Sequence, residues 1–264
     1  MRRLFSSLFI ILLLTIPLSA GALPLVWSGT GFGVGGEAIS VETEFDFVTH
    51  DFGAGAVDAF QITLRNLSPT TSYRSNLLTG FFFSLDGVGA LPTSDSGFDG
   101  LAATVRTSNT TSISNVDIAP AVNNSSTDGT YQLSNGPFGI SNGGVDYSAY
   151  QYGIATVGYG LAGLNGAALE GDNYGIAAAG SDLTLDGLPS ALPVIDASAV
   201  FWMAKPAELL SLSQVTNGRW AFGSLPDHQI DHIQPVPEPA TGLLLGTALI
   251  GMMGWVGLRR RTKA

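Results

Sequence analysis

The stretch from Ala240 to Leu258 constrains this chain more than any other, because its 19 residues carry no ionised side chain and are followed at once by Arg259-Arg260-Arg261-Thr262-Lys263-Ala264. As a helix rising about 1.5 Å per residue it is about 28 Å long, close to the roughly 30 Å hydrocarbon core of a bilayer. A helix in lipid satisfies its own backbone, so Gly242, Gly246, Gly251, Gly254 and Gly257, which would weaken a helix in water, are tolerable there. Gly242 and Gly246 also have the GxxxG spacing that lets helices pack closely, although glycine is common in membrane helices in any case. The sequence therefore predicts one C-terminal transmembrane helix, 240–258, and a basic tail, 259–264. Arg259, Arg260 and Arg261 are its membrane stop, held in the cytosol by the positive-inside rule.

Immediately before the apolar stretch stands Val236-Pro237-Glu238-Pro239, a stiff turn that a plain tail anchor does not need. The order of Pro-Glu-Pro, apolar helix, arginine cluster and chain end resembles the PEP-CTERM sorting signal of Gram-negative bacterial surface proteins. In that family the signal is read by exosortase, a membrane-embedded cysteine protease-transpeptidase. The resemblance implies that 234–264 is a sorting signal, that Val236, Pro237, Glu238 and Pro239 are its motif, and that an exosortase is the processing partner.

The other end agrees. Arg2 and Arg3 form a short positive region, Leu4 to Ile16 is mostly apolar, and Pro17-Leu18-Ser19-Ala20-Gly21-Ala22 supplies small residues for cleavage. This is the pattern of a secretory signal peptide, 1–22. Cleavage after Ala22 would use Ala20 and Ala22, and cleavage after Ala20 would use Leu18 and Ala20; the former is preferred. With both ends so assigned, residues 23–233 form an exported domain. The precursor is expected to be anchored in the inner membrane, and the mature form to stand at the cell surface or outside the cell.

About 210 residues make one large domain or two small ones, ample for a buried core. Five basic residues (Arg65, Arg74, Arg106, Lys205, Arg219) face 20 carboxylates there once Glu238 is set aside, a balance near −15. Such a surface repels nucleic acid and anionic lipid. The chain has no cysteine, which excludes disulfide staples and thiolate catalysis.

Within 23–233 the apolar pattern has period two far more often than 3.6. Glu42 to Phe47 alternates strictly, and Phe60 to Arg65 alternates again before a turn containing Pro69. Leu77 to Leu85, with Phe81-Phe82-Phe83, is apolar on both faces and predicts a central strand. Leu101 to Arg106 and Val194 to Met203 read as further strands, the second carrying Trp202. Thr107 to Gly144 is polar, with short apolar islands at Ile113, Val116 to Ile118 and Tyr131 to Leu133, as loops with edge strands would be. The glycine-rich runs Gly29 to Gly36 and Gly158 to Gly166 read as flexible turns. A short helix near Pro206 to Gln214 is the one helix expected before the anchor. The expected fold is all-β, a jelly-roll-like β-sandwich. The order Phe60 to Asn66, Leu77 to Phe83 and Pro193 to Trp202 is also similar to a recurrent ectodomain of PEP-CTERM proteins, which implies a shared sandwich and no chemistry.

Motifs for catalysis are weak. His228 and His232 sit four apart beside Asp227 and Asp231, as metal ligands on a helix would, but Pro226 and Pro235 flank them and a solvated linker fits better. His50-Asp51 could join a distant serine, yet no Gly-x-Ser-x-Gly elbow exists. Thr93 to Gly100 has acidic spacing suited to calcium but lacks the full loop pattern. Asn66, Asn109, Asn123 and Asn124 match the N-x-Ser/Thr acceptor pattern, for which turn chemistry is the simpler account. No metal, cofactor or catalytic residue is assigned, and the chain is not expected to be an enzyme. The function expected is that of a non-catalytic exported surface or extracellular-matrix protein, associated with exopolysaccharide or biofilm as the resemblance suggests. The alternative is a carbohydrate-binding sandwich whose exposed aromatics, Trp27, Tyr147, Tyr150 and Tyr152, stack on sugar rings; a secreted hydrolase ranks third.

Overall fold

The computed structural model describes residues 23–91, 97–118, 131–156, 161, 173–185, 188–224 and 229–230. The signal peptide 1–22, the sorting signal 234–264, His228, His232, Asn123 and Asn124 lie outside the described residues, as does most of Gly158 to Gly166. Among the described residues no helix is long and apolar enough to cross a membrane.

The strands are β1 (Leu25–Phe32), β2 (Ala38–Asp51), β3 (Ala56–Asn66), β4 (Leu78–Leu85), β5 (Phe98–Arg106), β6 (Ser112–Asp117), β7 (Gln132–Asn135), β8 (Tyr152–Ala155), β9 (Ile176–Ala177), β10 (Val194–Asp196), β11 (Ser198–Ala204), β12 (Val215–Phe222) and β13 (Gln229–Ile230). The all-β class is as expected. The strands belong to one hydrogen-bonded sheet, however, in the order β1-β2-β3-β11-β5-β10-β9-β4-β12-β13, with β6 on β5, β8 on β4 and β7 on β8. Two separate sheets do not occur because β10 pairs in parallel with β9, and Ile176 of β9 pairs in turn with Leu78 of β4.

The alternation in β2 explains its burial. Ile39, Val41, Thr43 and Phe45 are buried, while Ser40, Glu42, Glu44 and Asp46 face outward. Antiparallel pairing with β3 runs from Val41↔Asn66 to Asp51↔Ala56, and the Asp51 carboxylate closes the hairpin by accepting from Gly53 N (2.8 Å) and Gly55 N (2.9 Å). All eight residues of β4 are buried, as its two-faced apolar sequence predicts. Phe81 and Phe83 enter the main core, while Phe82 points into a second cluster with Phe138 and Tyr147.

The sheet curls so that distant strands meet across that core. Trp27 packs edge-on against Phe45 at 4.9 Å, Phe45 lies 5.9 Å from Phe81, and the buried Trp220 indole donates to Thr43 Oγ1 at 2.8 Å. Its two ends also approach each other. A Cβ on Gly29 would stand 2.4 Å from the Trp220 ring and 2.7 Å from Ile230, so β1 lies flush against β12 and β13 only because this position has no side chain.

Several expectations change. Gly29 and Gly31 belong to β1 and are not turn residues; close approach, not turning, is what requires glycine at 29. Val194 to Met203 is two strands, since Ala197 adopts φ 66° between β10 and β11 and redirects the chain from β9 to β3. The helix expected near Pro206 to Gln214 is a single 3-10 turn at Leu212–Gln214, capped by the Ser211 hydroxyl. Strands β1 and β12 were not anticipated.

Candidate functional site

Among the described residues, side chains that could act on something outside the core gather at two places in particular. The first lies on the outward face of β2, β3, β11 and β5. His50 Nε2 is 2.7 Å from Asp99 Oδ2, and the His50 ring stacks on Trp202 at 4.4 Å with 2° between planes. Phe52 meets the same imidazole edge-on at 4.7 Å, and Trp202 Nε1 donates to Gln61 Oε1 at 2.9 Å. In register Trp202 lies opposite both Gln61 and Asp99, so the hairpin that carries His50 reaches across β3 and β11 to β5. Asp51, the neighbour of His50 in sequence, is instead committed to the hairpin turn. Asp99, the one acid of Thr93 to Gly100 among the described residues, also accepts from Gly100 N at 2.8 Å. Further along this face Arg65 bridges Glu42 and Glu44 at 2.6 Å each. Burial works against the Arg65 charge, but the bonds it donates to Glu44 and Glu42 outweigh that and hold its pKa above the ordinary value.

The second place is a cleft of about 350 Å³ between the loop after β4, the loop after β7 and the segment leading into β8. Its walls are pinned from behind. Asn135 accepts from Leu91 N (2.9 Å) and donates to Leu91 O (3.0 Å), the Tyr152 hydroxyl donates to Val88 O (3.1 Å) and to Gly89 O, and Gln151 Oε1 accepts from Leu85 N (3.0 Å). Tyr150 lines the cleft with its ring 5.4 Å from the Arg219 guanidinium, which also sits 5.5 Å from the Tyr147 ring and donates to Asp146 O at 2.8 Å. The Asp146 carboxyl is held below its usual pKa by the Ser148 backbone N–H.

The aromatics expected to form an exposed row do not form one. Trp27, Tyr147 and Tyr152 are buried, at 2 %, 0 % and 3 % exposure, since each fills core space that period-two reading alone cannot assign; Tyr150 alone is half-buried. Asn66 is buried as well and donates to Ile176 O at 2.9 Å, so it is a strand-end anchor and not a glycan acceptor. Asn109 is exposed and donates to Asp182, which lowers that carboxyl's pKa. Among the described residues no group of three or more His, Asp or Glu side chains could hold a metal ion. Sequence reasoning singled out Asp99 only as part of an acidic loop and missed its pairing with His50, which strand register creates, and it missed Gln151 and Ser148, which loop closure brings to the cleft without any local signal.

The last described residue is Ile230, at the end of β13. Residues 235–261 match the family model of the PEP-CTERM protein-sorting motif. They include Val236, Pro237, Glu238, Pro239, Arg259, Arg260 and Arg261. Neither the comparison with curated proteins nor that with solved structures returns a match.

Proposed function

We propose that this chain is a non-catalytic surface or extracellular-matrix protein, exported by its signal peptide, anchored transiently by the helix 240–258 and processed by an exosortase at Val236-Pro237-Glu238-Pro239. The single observation that carries the reading is the PEP-CTERM match over 235–261, which implies exosortase-dependent sorting to the cell surface. The inner membrane holds the precursor, and the mature body is associated with exopolysaccharide or biofilm. Its curled sheet acts as a sandwich, with a core that supplies the stability disulfides would otherwise give. The non-catalytic reading is supported by how the ionisable groups are spent: His50 and Asp99 tie strands together, Asp51 closes a turn, and Arg65 neutralises Glu42 and Glu44.

Changing Pro237, Glu238 and Pro239 to alanine tests the sorting assignment. Export should continue while C-terminal processing stops, seen as accumulation of the larger form on a blot. Processing that proceeds unchanged would remove the assignment.

A further inference from the structure

The cleft beside Tyr150 has a size, fixed walls and a lining that can be weighed against classes of small ligand. At about 350 Å³ it falls at the lower end of the range typical of ligand sites. Its shape is set in advance: Asn135, Tyr152 and Gln151 each fix a loop by a bond to backbone, so little ordering is left for binding to do. Every residue lining it is uncharged. Pro137, Val88 and the Tyr150 ring offer carbon surface, while the exposed Ser148 offers a hydroxyl that also bonds Asp146 and the exposed Gln151 offers its amide nitrogen, the oxygen being held by Leu85 N.

Three classes of ligand can be compared on that basis. An anion would meet no charged residue in the lining, since Arg219 stands against the Tyr150 ring and is bonded to Asp146 O, and it would meet an acidic body around the cleft. A wholly apolar ligand would cover the Gln151 amide nitrogen without pairing it, the oxygen alone being held by Leu85 N, at a cost in desolvation. A neutral sugar ring matches both halves of the wall, with C–H faces for Pro137 and Tyr150 and a hydroxyl rim for Ser148 and Gln151. Arg219, packed beside the Tyr150 ring, holds that ring in place.

We propose that this cleft binds one or two rings of a neutral saccharide. The inference deepens the association with exopolysaccharide and rests on it, and it differs from a flat aromatic platform in placing one half-buried ring in a cleft of fixed loops.

The test uses the full chain in a zwitterionic detergent free of sugar headgroups, with maltose, cellobiose and chitobiose as neutral probes and glucuronate as the anionic control. Saturation-transfer NMR and titration should show at least one disaccharide binding with a Kd of about 0.1–10 mM, the range of a small weak ligand, and no binding of glucuronate. Ser148→Trp, which fills the mouth from an exposed position, should weaken binding tenfold or more without moving the urea midpoint. Tyr150→Ala should do the same to binding. No transfer to any neutral disaccharide at about 10 mM, or equal binding by Ser148→Trp, would overturn the proposal. A pull-down on exopolysaccharide from the producing culture separates the two levels. If wild type and Ser148→Trp are retained equally, the cleft assignment falls and the association stands; if neither is retained, the association falls too.

Discussion

His50 Nε2 and Asp99 Oδ2, 49 residues apart, stand 2.7 Å from each other and join the outer hairpin to β5 across two intervening strands. The imidazole is stacked on Trp202 as it does so, at 4.4 Å. A contact between residues this far apart in sequence reports on the register of β2, β3, β11 and β5 together.

Removing either partner should therefore loosen the hairpin without unfolding the body. Both side chains are partly exposed, at 20 % and 33 %, so His50→Ala or Asp99→Asn is expected to cost only about 0.5–1 kcal/mol in urea denaturation. Hydrogen exchange should quicken at Val48 to Asp58 and leave β4 protected. Equal exchange in variant and wild type would show that the pair holds nothing.

Gly29→Val should be far more costly. The added carbons meet the Trp220 ring and Ile230 at less than 3 Å, and overpacking of this kind costs about 1–3 kcal/mol. Gly89→Ala, whose Cβ meets nothing within 4 Å, is the control and should stay within about 0.5 kcal/mol of wild type.

Alkaline stability should depend on Tyr131. Burial pushes its phenol well above the ordinary tyrosine value, and it donates to Tyr174 O at 3.0 Å. A group with a raised folded pKa contributes its full stability below the unfolded value, about 10, and that contribution is lost as pH climbs above it. Between about pH 10 and 11.5 stability should fall by up to about 1.4 kcal/mol per pH unit for each such group. Tyr131→Phe should flatten the slope in urea titrations, leaving the smaller part due to Tyr152, whose phenol is also raised by burial. At pH 7 the same variant should lose about 1 kcal/mol with the hydrogen bond.

Replacing Arg259, Arg260 and Arg261 by glutamate should disturb the membrane stop. The tail of the precursor is expected to become accessible to protease from outside the inner membrane, and the wild-type tail to be protected. Unchanged protection would separate orientation from these charges.

Strands that alternate, such as β2 and β3, or that are apolar on both faces, such as β4, were legible in the sequence because side-chain period maps directly onto burial. Strands β1 and β12 were not, since Gly29, Gly31 and Gly218 interrupt the pattern, and the first two lie against Trp220 and Ile230 far along the chain. The split at Ala197 was equally hidden, because a positive φ at alanine has no compositional mark. The sorting motif needed no fold at all, being a linear signal that a separate enzyme reads. The cleft lies at the opposite extreme: Ser148, Tyr150 and Gln151 look like loop residues until Asn135 and Tyr152 fix the walls around them.

The most direct test of the account is the intact mass of the mature protein recovered from the producing cells. A chain that begins at Leu23, or at Gly21 if cleavage follows Ala20, and that lacks the apolar helix and the arginines is the expected result. A mass corresponding to Met1 through Ala264 would contradict export and sorting together.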